Sequence, residues 1–196
     1  MVVEKNTGSR RKTVDKWKKK KWFLVKASRI FDSKVLAETP AEKPINLTGR
    51  TLKVTLDKLT GLRMKRDTSI YFRTFDIQGQ NINTKISKFE LSKSSIGRLI
   101  RRGNSKVMVV ESIPVIGGEA RVSLVAITVK KATNAQKAGL RKMMKEKLMS
   151  FNGKDFEEVV QELILGKFTN NVFKDIEKIC MIKKVIAFKA TFTESK

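Results

Sequence analysis

Four closely spaced cations are the residues best suited to chemistry: Arg98, Arg101, Arg102 and Lys106, within a segment, 92–106, that contains no acid. The planar arginine guanidinium makes paired hydrogen bonds to phosphate oxygens. Arg98 and Arg102 are four residues apart, which predicts one helix face, where like charges destabilise a helix by about 0.2–0.5 kcal/mol per pair. A solvated helix face usually mixes charge signs. The cluster therefore favours contact with phosphates over a solvated face.

Two further groups of cations have the same character. Lys137, Arg141 and Lys145 recur every fourth residue, with only Glu146 to offset them. We expect this helix face, and more weakly a loop after Gly61, to contact phosphates as well. The remaining members of the two groups are Lys130, Lys131 and Lys142 beside the helix face, and Arg63, Lys65 and Arg66 in the loop.

Residues 1–21 have few apolar side chains, so we expect a basic arm that is disordered when free and becomes ordered along phosphates. Trp17 and Trp22 bracket its lysine run. An indole there could stack on a base or sugar between phosphate-binding lysines. Alternatively, Trp22 begins the first core strand with Phe23 and Val25. The cations of the arm that we expect to bind phosphates are Arg10, Arg11, Lys12, Lys16, Lys18, Lys19, Lys20 and Lys21.

The overall charge defines the partner. The 196 residues include 43 Lys+Arg against 19 Asp+Glu, a formal charge of +24. Such an excess favours a nucleic-acid partner, because each neutralised phosphate releases a counterion. The excess is +7 in residues 1–22, +16 in 23–153 and only +1 in 154–196. This asymmetry predicts a defined footprint rather than general adhesion.

Other classes of protein fit the sequence poorly. No run of about 18 apolar residues predicts a membrane span, and the basic N-terminus has no apolar segment typical of a secretory signal. The arm has no apolar stripe that would bind a membrane surface. The single Cys180 excludes an internal disulfide and suits a reducing compartment, which predicts the cytoplasm.

Catalytic constellations are also weak. The chain has no histidine, and no phosphate-binding glycine motif occurs, so we expect no cofactor. A nuclease would use Glu158 and Glu162 as Mg²⁺ ligands. No second acid cluster completes such a site, so a solvated helix face is the favoured interpretation, with no metal and no enzymatic activity. Cys180 lies among apolar residues and is expected in the core.

Strand signals dominate residues 22–130. Leu52, Val54 and Leu56 alternate with polar residues, as in a half-buried strand. Residues 69–77 and 82–86 flank a turn and predict a hairpin. A second hairpin is predicted from 107–115 and 119–130, around Gly117-Gly118.

Helical periodicity marks four other segments. We expect an inserted helix capped by Ser92 or Ser94 and closed by Gly103, with Ile96, Leu99 and Ile100 on its apolar face. Three helices are then predicted between 133 and 180, followed by a strand over Val185–Phe192. The predicted fold class is α+β: an antiparallel, barrel-like β-sheet with one inserted helix and about three C-terminal helices packed at one side. Residues 22–196 would form one globular domain.

Ordered landmarks span almost the whole chain, about 16–186. They are Lys20-Lys21-Trp22-Phe23 and Phe31; Glu38-Thr39-Pro40-Ala41; Gly49-Arg50; Asp57-Lys58-Leu59-Thr60-Gly61; Tyr71-Phe72 with Asp76 and Gly79; Leu99-Ile100-Arg101-Arg102 with Ser105-Lys106; Lys130-Lys131-Ala132-Thr133; Gln136 with Arg141-Lys142-Met143-Met144; and Glu157-Glu158-Val159-Val160 through Gly166-Lys167. In this order they resemble the small-subunit ribosomal protein family shared by archaea and eukaryotes, S-one-e (S-three-A-e), and look more archaeal than eukaryotic. Ala27-Ser28 stands where the family has Ala-Pro, and Ile179–Ile182 replaces its Tyr-Pro-Leu.

The resemblance implies a noncatalytic structural constituent of the small ribosomal subunit, which supports translation and subunit assembly. It implies a seat on the platform near the mRNA exit, against small-subunit rRNA near its 3′ end and neighbouring platform proteins, with mRNA as a further candidate contact. No membrane partner and no homo-oligomer are expected. A free architectural RNA- or DNA-binding protein is the alternative, and a Mg²⁺-dependent nuclease is the third hypothesis.

Overall fold

Eight strands and five α-helices make up the part of the chain that the computed structural model describes, residues 17–61 and 65–194. The strands are β1 (Lys21–Lys26), β2 (Val35–Ala41), β3 (Thr51–Thr55), β4 (Thr68–Gln78), β5 (Asn81–Leu91), β6 (Lys106–Val115), β7 (Gly118–Thr128) and β8 (Ile182–Glu194). The helices are α1 (Leu56–Thr60), α2 (Lys93–Leu99), α3 (Asn134–Leu148), α4 (Phe156–Leu165) and α5 (Lys167–Ile176).

All eight strands belong to one sheet, and the predicted α+β class is confirmed. The main path runs β2-β1-β5-β8-β7-β6, and β4 pairs with β5 and β3. The expected barrel-like closure is wrong. Among the described residues, β2, β3 and β6 each pair with a single strand, so the sheet keeps open edges.

Both predicted hairpins are confirmed. β4 and β5 are antiparallel across a turn at Gly79, and β6 and β7 pair from Lys106↔Ile127 to Val115↔Gly118. The second hairpin turns at Ile116 and Gly117 rather than at a Gly-Gly pair. Gly117 has φ +85°, a conformation that favours glycine over residues with a Cβ.

β5 is the branch point of the sheet. Along one edge β4 pairs with its whole length, whereas the other edge is shared: β1 runs parallel to residues 81–83, and β8 pairs with residues 88–90. Between these two partners the Ile86 N–H donates to the Glu157 carboxylate of α4, at 3.3 Å. The other oxygen of Glu157 accepts from the Ser28 hydroxyl, a donor that proline could not supply. At the point where the sheet splits, a helix side chain thus accepts the hydrogen bond of a backbone N–H that has no strand partner.

Helices α3, α4 and α5 cover one face of the sheet, which we call the inner face. Their apolar residues, including Leu140, Val160 and Val172, join inward-facing strand residues such as Phe72 and Leu124 in the main core. The predicted apolar periodicity is confirmed for α3 and α4. The third helix is shorter than predicted: it ends at Ile176, and Ile179 and Cys180 pack against the core from beyond its end.

The opposite, outer face is covered only in part. From Val122 to Thr128, β7 is buried on both sides, because Val125 and Ile127 face α2 while their neighbours face the main core. Ile96 of α2 packs onto this pair, with Ile186 and Phe188 of β8 at the margin. No helix in the described residues is long and apolar enough to cross a membrane.

Two details of the strand predictions are wrong. The strand through Leu52 and Val54 ends at Thr55, and Leu56 begins the short α1. Leu56 and Leu59 are buried one helical turn apart, and Gly61 ends the helix at φ +72°. β8 extends beyond the predicted range, and its register shifts at the level of Phe188. Because a bulge reverses the alternation of side chains, Ala187 and Ala190 both reach the main core.

The Glu157 contacts predict a stability effect. Glu157→Ala leaves the Ile86 N–H without its acceptor, so the free energy of unfolding should fall by about 1–3 kcal/mol. Glu158→Ala is the matched control, because Glu158 is exposed on the same helix and its loss should cost less than about 0.5 kcal/mol. Urea unfolding of both variants measures the difference. Equal stability of the two would contradict the structural role of Glu157.

Candidate nucleic-acid interface

Buried hydrogen bonds join the start of β6 to the end of β7. The Thr128 hydroxyl accepts from the Ser105 N–H at 2.9 Å and donates to the Lys130 carbonyl at 2.6 Å. The Ser105 hydroxyl in turn accepts from the Ala132 N–H at 3.0 Å. Both hydroxyl-bearing side chains are buried. Lys106 and the Lys130-Lys131 pair, distant in sequence, are therefore held at the same end of the sheet.

The start of β8 joins this end. The Val129 N–H donates to the Met181 carbonyl at 3.0 Å, and the Lys183 ammonium donates to the Leu99 carbonyl at the end of α2, at 3.2 Å. Lys106 and Lys184 both pair with Ile127, so they occupy one row across three strands, about 10 Å apart at two strand spacings.

We call this surface the basic end. All seven of its cations are exposed, and none forms an ion pair among the described residues. Unpaired like charges gathered on one surface produce a strong positive potential, which attracts a polyanion. The basic end consists of Arg101, Arg102, Lys106, Lys130, Lys131, Lys183 and Lys184.

Arg98 is different from the cations of the basic end. Its guanidinium pairs with Asp67 at 2.6 Å and donates to the Ser95 hydroxyl at 2.9 Å, which ties α2 to the start of β4. The predicted helix face shared by Arg98 and Arg102 is wrong, because α2 ends at Leu99. Ile100 is extended, and its side chain packs with the apolar cluster under α2. Arg101 and Arg102 therefore lie on the following loop.

The α3 face continues the basic end. A capping box of Thr133 and Gln136 starts the helix, with its N-cap two residues after Lys131. Of the cations predicted on this helix, Lys137, Arg141 and Lys142 form no ion pair in the described structure, whereas Lys145 pairs with Glu111 of β6 at 2.6 Å. Lys145 therefore holds α3 against the sheet, and the other three extend the cationic surface.

In the third predicted patch, the described cations Lys65 and Arg66 contact other elements of the fold. Lys65 donates to the Ile164 carbonyl at the end of α4, at 3.3 Å, and Arg66 lies 3.7 Å from Asp57. The Asp57 pKa is lowered, chiefly by a hydrogen bond from the Thr55 side chain and further by Arg66. Arg63 lies outside the described residues.

The described residues include the end of the predicted arm. Trp17 is 58% exposed, with the Lys20 ammonium 4.3 Å from its ring centroid, and Lys18–Lys21 are exposed. Trp22 lies in β1 with Phe23 and Val25. Its indole is 57% exposed, however, and does not enter the core. The other predicted cations of the arm, Arg10, Arg11, Lys12 and Lys16, lie outside the described residues.

Glu158 and Glu162, the acids that a nuclease would use, do not belong to a metal-binding group in the described residues. Glu162 pairs with Lys154 at 2.6 Å, and Glu158 is exposed. In residues 17–61 and 65–194, no group of three or more Asp, Glu or Cys side chains is arranged to hold a metal ion. Cys180 is half-buried, and burial raises the pKa of its thiol, which makes it a poorer nucleophile.

Comparison with known proteins decides the family. The model of the Ribosomal S3Ae family matches residues 8–195. The chain belongs to this family. It resembles small ribosomal subunit protein eS1 of Archaeoglobus fulgidus, at 34% identity over 87% of the chain and 83% of that protein. The eS1 proteins of Staphylothermus marinus (32% identity, 90% of the chain, 84% of the relative) and Methanothermobacter thermautotrophicus (29%, 94% and 96%) are similar.

Membership in the Ribosomal S3Ae family has two consequences. The predicted resemblance is confirmed. The family consists of structural ribosomal proteins, so the prediction that the chain is not an enzyme is confirmed as well.

Lys183 and Lys184 are the members of the basic end that the sequence analysis missed. They lie in the nearly neutral last quarter of the chain, where net charge indicates an ordinary surface. The Lys-Lys pair at the start of an alternating strand was the available signal. Its importance depends on β8 running beside β7, which charge counting does not reveal.

The different environments of Arg98 and Arg101 predict different coupling to Asp67. A double-mutant cycle of Arg98→Ala with Asp67→Asn should give about 0.2–1 kcal/mol of coupling in chemical denaturation, the range of exposed ion pairs. The matched cycle of Arg101→Ala with Asp67→Asn should give none, since no ion pair joins these residues. Equal coupling in both cycles would contradict this assignment.

Proposed function

We propose that this chain is a structural constituent of the small ribosomal subunit that binds small-subunit rRNA through its basic end and the adjoining face of α3. The observation that carries the proposal is the convergence of three sequence-distant segments, which hold seven exposed, unpaired cations on one surface. The similar archaeal proteins are small ribosomal subunit proteins. The chain would then be ribosome-bound in the cytoplasm.

Electrostatics explains why such a surface suits rRNA. The sequence has a formal charge of +24, and the cations gathered at the basic end repel one another in the free protein. Phosphates remove that repulsion, and the counterions they release make binding favourable. Most of this binding requires no base-specific contact, because phosphate contacts fix position and orientation. The role is therefore to neutralise and hold folded rRNA, without catalysis.

The finer location follows from the family resemblance. We place the chain on the platform near the mRNA exit, against rRNA near the 3′ end and neighbouring platform proteins, where it would support translation and subunit assembly. Residues 1–21 would extend from the globular domain and become ordered along phosphates. Exposed Lys18–Lys21, next to β1, are placed to connect that arm to the domain.

Sedimentation tests the particle assignment. In a gradient of cell lysate, the chain should follow small-subunit fractions, and Arg101→Ala/Arg102→Ala should lower the incorporated share several-fold without unfolding the domain, because both side chains are exposed. Lys167→Gln/Lys174→Gln on α5 is the matched control and should incorporate normally. A chain that stays at the top of the gradient would instead support the alternative of a free architectural protein.

Salt dependence tests the phosphate contacts directly. For a labelled fragment of small-subunit rRNA, Lys130→Gln/Lys131→Gln should reduce the slope of log K against log salt by up to about 1.4–1.8, at roughly 0.7–0.9 per lost phosphate contact. The α5 double variant should leave the slope unchanged. An unchanged slope for the Lys130/Lys131 variant would remove these residues from the interface.

A further inference from the structure

A second surface lies on the outer face of the sheet, away from α3, α4 and α5. Cross-strand register places Lys53, Tyr71 and Lys88 in one row of β3, β4 and β5, and Arg73 beside Lys85 in the next. The buried partners of these strands, such as Phe72, point into the main core. α2 covers the later part of β7, part of β8 and Leu91 at the end of β5. We call this uncovered surface the outer patch: Lys53, Tyr71, Arg73, Phe75, Lys85 and Lys88.

Phe75 lies on this face by the strand alternation that it shares with Tyr71 and Arg73, and it is the extra residue of a β-bulge. The register of β4 against β5 passes from Thr74↔Thr84 to Asp76↔Asn83, so Phe75 has no partner of its own. Thr74 is buried, and its hydroxyl donates to the Leu47 carbonyl, which anchors one side of the bulge. Phe75 is 49% exposed, and the Lys85 ammonium lies 4.7 Å from its ring centroid. Bulges are over-represented next to functional sites.

Tyr71 repeats the pairing of an aromatic ring with cations. The Lys88 ammonium lies 4.6 Å and that of Lys53 5.7 Å from the Tyr71 ring centroid. Lys88 is also paired with Glu90, whose pKa is lowered chiefly by that contact. Beside Tyr71 lies an open hollow of about 420 Å³, lined among others by Arg73, Ser87 and Lys88.

Alternating rings and cations identify the chemistry of the ligand. Unpaired nucleotides offer flat bases that stack on aromatic rings and phosphates that attract lysine and arginine. Protein interfaces, by contrast, are depleted in lysine, whereas the outer patch has three lysines and one arginine. The acids near them, Glu90 and the exposed Glu194 at 3.9 Å from Arg73, offset only part of the charge. The composition therefore favours RNA over a protein partner.

We propose that the outer patch binds unpaired nucleotides of RNA by base stacking on Phe75 and Tyr71. This inference rests on the proposed RNA-binding function and adds a second mode of contact to it. The basic end meets phosphates of folded rRNA, whereas the outer patch contacts bases that have left the stack. The two surfaces are separated by α2 on the sheet, so each can be altered without the other.

Fluorescence anisotropy with the full chain tests this proposal. The probes are a labelled single-stranded oligoadenylate of about ten nucleotides and an RNA duplex of equal length, whose bases are stacked and paired. Phe75→Leu should weaken single-strand binding about fivefold or more, as expected for one lost stacked base, with the salt slope and duplex affinity unchanged. Phe75→Trp should restore binding. Ile116→Ala, an exposed apolar residue on the β6–β7 turn, is the control and should have no effect.

The outcomes separate this proposal from the proposed function. Unchanged single-strand affinity in Phe75→Leu, with binding still weakened by Arg101→Ala/Arg102→Ala, overturns the outer patch and leaves the basic end intact. Unchanged RNA affinity in both Phe75→Leu and Arg101→Ala/Arg102→Ala overturns the outer patch and the basic end as RNA-binding surfaces. Loss of ribosomal incorporation in Phe75→Leu without any change in RNA affinity identifies a protein-binding surface and also overturns it. A Phe75→Trp variant that folds normally but binds as weakly as Phe75→Leu excludes stacking.

Discussion

Coulomb repulsion is the constraint on which the arrangement of this chain depends. The 43 basic residues outnumber the 19 acidic ones by more than two to one, and the described structure forms seven ion pairs. Most of these pairs join different elements: Asp67 holds Arg98 of α2, Glu111 holds Lys145 of α3, and Asp175 of α5 holds Lys147. Because exposed ion pairs contribute little individually, their main effect is to distribute charge. Seven of the described acids are engaged in these pairs, and the cations of the basic end have no such partner.

The fold keeps these cations accessible by segregating its helices. α3, α4 and α5 bury the inner face, and α2 protects the part of the outer face where Val125 and Ile127 of β7 would otherwise be exposed. The open end of the sheet and the outer patch are therefore left uncovered. At the branch of the sheet, Glu157 satisfies a backbone donor that neither β1 nor β8 reaches, so one acid of α4 serves the sheet rather than the surface.

The two proposed contacts use different physical properties of RNA. The basic end offers point charges on loops and strand ends that are clamped by Ser105 and Thr128, which suits a folded phosphate surface. The outer patch offers rings held in place by sheet register and by the bulge at Phe75, which suits bases that are free of a helix. Rigid strands place such rings with little conformational entropy left to lose on binding.

Local sequence pattern alone predicted the apolar faces of α3 and α4, both hairpins and the α+β class. Alternation and helical periodicity are short-range consequences of burial on one face, so they can be read from the sequence. It also identified the cationic clusters and the family. Tertiary structure decided which cations are accessible: Arg98 and Lys145 meet acids that are distant in sequence, whereas Lys183 and Lys184 join the basic end through the pairing of β7 with β8. It likewise decided that α2 stops at Leu99, where Ile100 is extended and its side chain packs with the apolar cluster under the helix. Long-range pairing cannot be read from charge counts or periodicity, because the partner of each side chain depends on strand order and register.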